Sequence, residues 1–456
     1  MMMKTTRHMA VEILNRVEEE GAYAEPLLNA SLSGHPEIKL QDRRLITEIV
    51  YGTLRMRGQL DWVIERLYSG KFDAMDVDLR NILRTGLYQL RFTDRIPDFA
   101  IVDEAVEITK KMRRRGSGLV NAILRNFIRR KDQIQYPAIG KNPAHHISIV
   151  HSHPLWMVKR WIEMLGVEET AALCRANNQV PPVTVRINTL KTTREDTREE
   201  LLQHGFEARE TIFSPDGLII SNPPMSVRET DCYTSGRIQF QDEASQLIAH
   251  LVAPKPGENV LDICAGTGGK TTHLAAVMEN RGSILALDIN EKKIDALCKN
   301  ASRLGAAIVG LQVGDAREKG GKASLESFDR ILVDAPCTGL GTLRRNPEIK
   351  WRTLPEDAEK CSILQKAILE NAAAYLKRGG SLIYSTCTIM TEENEDVIEN
   401  FINRHPNFIC IRPPDKINSS LVDDRGYFRS YPHRHSTDGF FGAVLVKTGR
   451  GEEQND

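Results

Sequence analysis

From Lys4 to about Lys131 apolar residues recur at helical spacing, as in Ala10, Ile13, Leu14 and Val17 and again in Leu79, Ile82, Leu83, Gly86, Leu87 and Leu90. That period marks helices buried on one face. Further amphipathic stretches at 99–108 and 119–128 supply enough helices to close a bundle, so residues 1–135 are expected to form an all-α domain. Pro137, Gly140 and Pro143 then interrupt the pattern, and residues 136–144 are expected to be a linker. The stretch 156–178 again has a helical pattern, whereas VTVRIN (183–188) and GLIIS (217–221) are apolar and β-branched like strands. A small α+β subdomain is expected over 145–240.

Beyond Glu258 short apolar runs alternate with helical segments. The runs are VLDI, SILALD, IVGLQV, RILVDA, SLIYST and FFGAVLV, and helices are expected at 271–279, 291–304, 359–377 and 391–403. Alternation of this kind predicts a parallel sheet with crossover helices, a doubly wound, Rossmann-like α/β domain over 241–448. The polar end, 449–456, is expected to be a disordered tail.

Composition narrows the class. A chain of 456 residues holds two or three domains. It has no apolar stretch of membrane-spanning or signal-peptide character, so a soluble cytoplasmic protein is expected. Eight cysteines, scattered without a CxxC pair, argue against a disulfide framework or a zinc site; no metal is expected. Lys plus Arg equals Asp plus Glu at 61 each, so net charge gives no support to a nucleic-acid partner. Local clusters do: Lys110, Lys111, Arg113, Arg114 and Arg115; Arg125, Arg129, Arg130 and Lys131; and Arg344 with Arg345.

In a doubly wound sheet ligands lie outside the carboxyl ends of the strands. LDICAGTGGKT (261–271) is a strand, a glycine-rich turn and a helix start, where absent side chains let a ligand approach the backbone. A P-loop would need glycine at Cys264, and the GxGxxG fingerprint is not met. Asp288, ending the next strand, is placed for ribose hydroxyls, so glycines plus acid suit an adenosine ligand. Asp315 ends the third strand, within reach of an adenine amino group. The fourth strand runs into VDAPCTGLGT and the fifth into IYSTCT, each presenting a cysteine, Cys337 and Cys387, to the same crevice. A thiol is the side chain best able to add to an electron-poor pyrimidine. Asp334, three residues before Cys337, is the candidate to hold the edge of such a ring. The other cysteines at 174, 232, 298, 361 and 410 are expected to be small buried hydrophobes.

At these residues the sequence resembles the Nop2/Sun family of RNA cytosine-5 methyltransferases, in particular its bacterial Sun/Fmu-type 16S ribosomal RNA members. The likeness runs through DICAGTGGKT, ALDIN, VGDA, DAPCTGLGT and STCT, with FQDEAS (240–245) and RSYPHRHSTDGFFGAVLVK (429–447) flanking them. SHPLWMVKRW and NNQVPPVTVRINTLK resemble the family's small RNA-recognition subdomain, and residues 4–131, including DRRLITEIVYGTLR (42–55), a NusB-like domain. The resemblance implies a methyltransferase using S-adenosylmethionine on a cytosine of 16S ribosomal RNA, free or in an early assembly intermediate, by a monomeric enzyme. It implies Cys387 as nucleophile and Cys337 as the thiol assisting proton removal or release. The implied cofactor site comprises Cys264, Ala265, Gly266, Thr267, Gly268, Gly269 and Lys270 with Asp288, Asp315 and Asp334. The family commonly has Ala-Pro where this chain has Gly266-Thr267. Two alternatives stand beside this reading: transfer RNA as substrate, and a non-catalytic RNA-binding or antitermination factor.

Overall fold

The computed structural model describes residues 5–449 apart from 95, 114, 222, 321 and 322. The expectations for Lys4, Arg114 and the tail at 450–456 lie outside the described residues. In chain order the first helices are α1 (Thr6–Glu19), α2 (Ala24–Ser33), α3 (Leu40–Leu67), α4 (Val77–Phe92), α5 (Asp98–Met112), α6 (Ser117–Arg130), α7 (Pro143–Val150), α8 (Leu155–Leu165) and α9 (Val167–Asn177). There follow β1 (Val183–Ile187), α10 (Arg194–Gln203), β2 (Glu207–Glu210), β3 (Gly217–Ser221), α11 (Asp231–Thr234), β4 (Ile238–Phe240) and α12 (Glu243–Val252). The remainder is β5 (Asn259–Ile263), α13 (Gly269–Val277), β6 (Ser283–Asp288), α14 (Glu291–Leu304), β7 (Val309–Val313), β8 (Phe328–Asp334), α15 (Ile349–Arg352), α16 (Asp357–Ala373), β9 (Leu376–Thr386), α17 (Glu395–Arg404), β10 (Phe408–Ile411), β11 (Phe428–Ser430), α18 (Pro432–His435) and β12 (Phe440–Lys447). No helix among the described residues is long and apolar enough to cross a membrane.

The chain divides into two compact units, Met1–Val180 with Leu343–Pro355, and Pro181–Thr342 with Glu356–Asp456. In the first, the periodic apolar positions do face inward: Ala10, Ile13, Leu14, Val17, Ile82, Leu83 and Leu87 are all buried. Gly86 lets helices approach, since a Cβ there would lie 2.9 Å from Leu124 Cδ1. The unit also contains a charged core. Arg84, 1% exposed, donates to both carboxylate oxygens of Asp61 at 2.6 and 2.9 Å and to Glu18 at 2.6 Å. Segment 343–355 is built into this unit by polar contacts: Lys350 Nζ donates to Arg55 O, Ser152 O and Asn178 Oδ1 at 2.8, 2.9 and 2.9 Å, and Trp351 Nε1 to Leu54 O at 2.7 Å.

The second unit carries two sheets. Its small sheet has the order β2-β3-β1-β4, with antiparallel pairings throughout. The large sheet runs β10-β12-β9-β8-β5-β6-β7. β5 through β9 pair in parallel, as the alternating pattern predicts, and strand order reverses outward from β5, which makes it doubly wound. The last apolar run departs from the parallel pattern: β12 is antiparallel to β9, β10 and β11. Only α18 and a turn separate β11 from β12, too short a connection for a parallel crossover.

The charged core gives a prediction. Arg84→Met removes the buried partner that Glu18 and Asp61 share and leaves them Arg57 and Arg80, so the cost should be at most the roughly 3–5 kcal/mol of breaking a buried pair. Denaturant unfolding of the variant should show a loss up to that size; a loss below about 1 kcal/mol would mean that the acids relax to solvent.

Candidate active site

The turn after β5 is shaped by backbone conformation. Cys264, Gly266 and Gly268 have φ of +65, +58 and +85°. Gly268 is further restricted because a Cβ there would lie 2.6 Å from Leu297 Cγ, whereas at Gly266 it would meet open space. Gly266 N donates to Asp288 Oδ2 at 2.9 Å and Asn290 N to Asp288 Oδ1 at 2.8 Å, so the acid ending β6 is aimed at the loop. Ala265 N donates to Leu287 O at 2.9 Å, and Thr267 O accepts from Asn300 at 3.0 Å. α13 begins at Gly269, directing its first amides into this turn.

Strands β8 and β9 deliver the remaining chemistry. Asp334 accepts from Lys270 Nζ at 2.6 Å and from Ser385 Oγ at 2.9 Å. Burial works against the Lys270 charge, but Asp334 outweighs it and holds the ammonium above its ordinary range. Cys337 Sγ lies 3.2 Å from Cys387 Sγ. The Cys337 thiol is pushed well up, first by its hydrogen bond with Cys387 and then by burial. The expected loop, Asp288, Asp334 and both cysteines therefore stand at the carboxyl ends of four strands, of which β6, β5, β8 and β9 are successive neighbours. Asp315 follows β7 but is engaged by Arg317, whose hydrogen bonds and charge hold its carboxyl down to about 2.

Several expectations change. Arg344 is 5% exposed, so it does not present a phosphate-binding side chain; the chain around it is drawn into the helical unit, where Arg55 donates to Arg344 O at 3.2 Å. In the helical clusters Lys110, Lys111, Arg115, Arg125, Arg129, Arg130 and Lys131 are exposed, but Lys110 pairs with Glu107 at 2.6 Å and Arg113 with Asp76 at 2.5 Å. Cys298 is exposed rather than buried, while Cys174 and Cys232 are buried; all eight cysteines are free.

The residue pattern missed three buried polar groups. Asp262, inside β5, accepts from Thr271 Oγ1 at 2.6 Å, and burial pushes its carboxyl up to about 7. Glu393 lies between the two cysteine loops. Arg186, 1% exposed on β1, donates to Gly269 O and Thr272 Oγ1 and so ties the small sheet to the start of α13. Beside it, His250 and His273 donate through Nε2 to Asp216 Oδ2 at 2.7 and 2.9 Å. Among the described residues this is the one group of three side chains able to hold a metal. The buried Arg186 guanidinium lies within electrostatic reach of both Asp216 and His273. A single basic residue in a strand and an aspartate in a turn carry no sequence signal of such a partnership.

Known proteins resemble the chain over nearly its whole length. The family described as 16S rRNA methyltransferase RsmB/F matches residues 249–446, the NusB family residues 4–129, and the RsmF/B-like ferredoxin-like domain residues 153–228. A probable ribosomal RNA small subunit methyltransferase B of Bacillus subtilis is 36% identical over 98% of this chain and 100% of its own. The crystal structure of PH0851 matches with a TM-score of 0.81 and 31% identity over 98% of this chain and 100% of that one. NSun6 from Pyrococcus horikoshii, solved with SFG, matches with a TM-score of 0.58 and 25% identity over 66% of this chain and 100% of that one.

Buried His273 makes stability depend on pH. Burial, followed by Arg186, holds His273 down to about 3 from an ordinary 6.5. Between those values the unfolded chain takes up a proton that the folded chain does not, so stability falls as pH falls through this window. One such proton corresponds to about 1.4 kcal/mol per pH unit. His273→Gln can donate the same bond to Asp216 without titrating, and denaturant midpoints at pH 7, 6 and 5 should decline less steeply for it than for the wild type. Parallel declines would show that His273 does not govern the acid limb.

Proposed function

The chain belongs to the RsmB/F family of 16S ribosomal RNA methyltransferases, and from that premise we propose that it methylates carbon 5 of a cytosine in 16S ribosomal RNA through a covalent Cys387–cytosine intermediate. The observation carrying this reading is the pair of cysteines 3.2 Å apart at the ends of adjacent strands, next to a glycine turn and its acid. The methyl donor is S-adenosylmethionine, which supplies an electrophilic methyl group. The chain's residues fit it: open space at Gly266, left-handed glycines and inward amides suit a nucleoside lying against the backbone, and Asp288 is placed for its ribose hydroxyls. Asp315 is assigned to the adenine side, with its Arg317 pair needing to yield.

Carbon 5 of cytosine is a poor nucleophile until carbon 6 is attacked. The target base leaves its stack, and the Cys387 thiolate forms a bond to carbon 6, which makes carbon 5 enamine-like and able to take the methyl. Lys270 lies within electrostatic reach of Cys387, while Asp334 is the candidate to hold the base edge. Loss of the carbon 5 proton then re-forms the ring double bond and expels the Cys387 sulfur. Cys337, its thiol 3.2 Å from Cys387, is assigned to this release step: it gives its proton to the departing sulfur, and the thiolate so formed takes the carbon 5 proton. The NusB-family region, with its exposed basic residues, suits RNA binding and favours ribosomal over transfer RNA.

Two experiments test the reading. Asp288→Ala should weaken S-adenosylmethionine binding in calorimetry by more than about twofold; a change smaller than that, below about 0.4 kcal/mol, defeats the ribose assignment. Cys387→Ala should abolish both methyl transfer to 16S RNA and covalent capture, whereas Cys337→Ala should accumulate a protein–RNA species stable on denaturing gels. The opposite outcome moves the nucleophile to the other strand.

A further inference from the structure

Glu393 closes a short turn, Thr391–Glu393, after β9, and its side chain is fully buried at 0% exposed. Its Oε2 accepts from Thr338 N at 2.8 Å and Gln365 Nε2 at 3.1 Å; its Oε1 accepts from Thr388 Oγ1 at 3.1 Å and from the Thr338 hydroxyl. The two hydroxyls are themselves 3.0 Å apart. Thr338 directly follows Cys337 and Thr388 directly follows Cys387, so a single carboxylate spans both cysteine loops. Burial pushes this carboxyl up and the donors pull it back, consistent with a group held by bonds rather than by solvent.

The two loops do not depend on Glu393 equally. Cys387 follows β9 directly, and the pairing of Thr386 with Phe441 of β12 anchors it. Cys337 lies in a loop outside any strand, tied down by Gln365 Nε2 to Pro336 O at 3.0 Å, by Gly341 N to Cys387 O at 2.9 Å and by the two contacts of Thr338 with Glu393. On these contacts, loss of the carboxylate should loosen the Cys337 loop more than the end of β9 that carries Cys387.

We propose that Glu393 is a positioning residue that ties the Cys337 loop to the Cys387 strand and thereby sets the sulfur–sulfur contact needed for the release step. The proposal rests on the covalent Cys387 reading given above. Removing Glu393 should spare attack and methyl transfer and slow release, a signature that general loss of structure does not produce.

The test uses the full chain, S-adenosylmethionine and transcribed 16S RNA, with turnover, cofactor affinity and the denaturing-gel adduct read together. Glu393→Ala should lower turnover about 10-fold or more, as loss of a supporting residue does, with cofactor affinity within about threefold and adduct well above the wild-type level. Glu393→Gln should recover turnover to within about threefold of wild type, because its oxygen can face Thr338 N and Gln365 while its amide donates to the two hydroxyls. Thr338→Val, which keeps the main-chain bond, should give an intermediate adduct level. Wild-type behaviour of Glu393→Ala, loss of cofactor affinity in step with turnover, a fall in turnover without added adduct, or failure of Glu393→Gln to recover would each overturn the proposal. Cys337→Ala run alongside separates the two layers: if it traps adduct and Glu393→Ala does not, only the positioning role fails; if neither it nor the wild type forms a Cys387-dependent adduct, the covalent reading fails and the proposal with it.

Discussion

The site depends first on the register of β8 against β9. Asp334 is paired with Ser385, and the pair is locked by Ser385 Oγ to Asp334 Oδ1 at 2.9 Å and Ala335 N to Ser385 O at 2.9 Å. Cys337 is three residues beyond one member and Cys387 two beyond the other, so a slip of one residue, about 3.3 Å along the strand, would separate sulfurs now 3.2 Å apart. Apolar burial on both faces enforces the register. Ile331, Val333, Leu382 and Tyr384 enter one core cluster, while Leu332 and Ile383 enter the cluster on the other face. A slip would exchange the two sets.

A second constraint holds the glycine turn in place from outside the large sheet. Gly266 and Gly268 give the turn its conformation, but beside Cys264 and Ala265, which pack against apolar clusters, the two glycines add no side chains to hold it. Arg186 compensates by reaching from β1 to Gly269 O and Thr272 Oγ1, at the point where the turn becomes α13. The small sheet thus serves the turn as well as forming a subdomain. Its hold is made by hydrogen bonds: burial lowers the Arg186 guanidinium, Asp216 offsets that in part, and His250 and His273 donate to Asp216.

Legibility in the sequence followed local physics. β5, β6, β8 and β9 are apolar runs because both their faces are covered, and the chemistry at their ends could be read from the loops that followed. β2 is EARE, largely exposed, and β4 and β11 are three residues long, so periodicity carried no signal for them. LRRNPEIKWR shows no sign of burial, because the acceptors for Lys350 come from residues 55, 152 and 178. Arg344 was misread for the same reason. Glu393 was hidden in an acidic run that resembles an ordinary helix start, its partner Thr338 being 55 residues away. Composition and spacing expose groups whose role is set by their neighbours in sequence and conceal those whose role is set by tertiary partners.

The charges around the strand ends bear on turnover under the proposed reading. Asp262, Asp288 and Asp334 converge there: the last two act on Asp262 strongly enough to add to the burial that raises it. Lys270 pairs with Asp334 at 2.6 Å, and its charge also reaches Asp262 and opposes part of that rise. The rise of Asp262 owes most to burial, so the excess of negative charge at the strand ends is that of Asp288 and Asp334 over Lys270, which favours a cation. A sulfonium methyl donor is a cation and the thioether left after transfer is neutral. Under the proposed reading the Asp288 and Asp334 carboxylates suit the charge of the donor better than the neutral product, which favours exchange of one for the other after transfer.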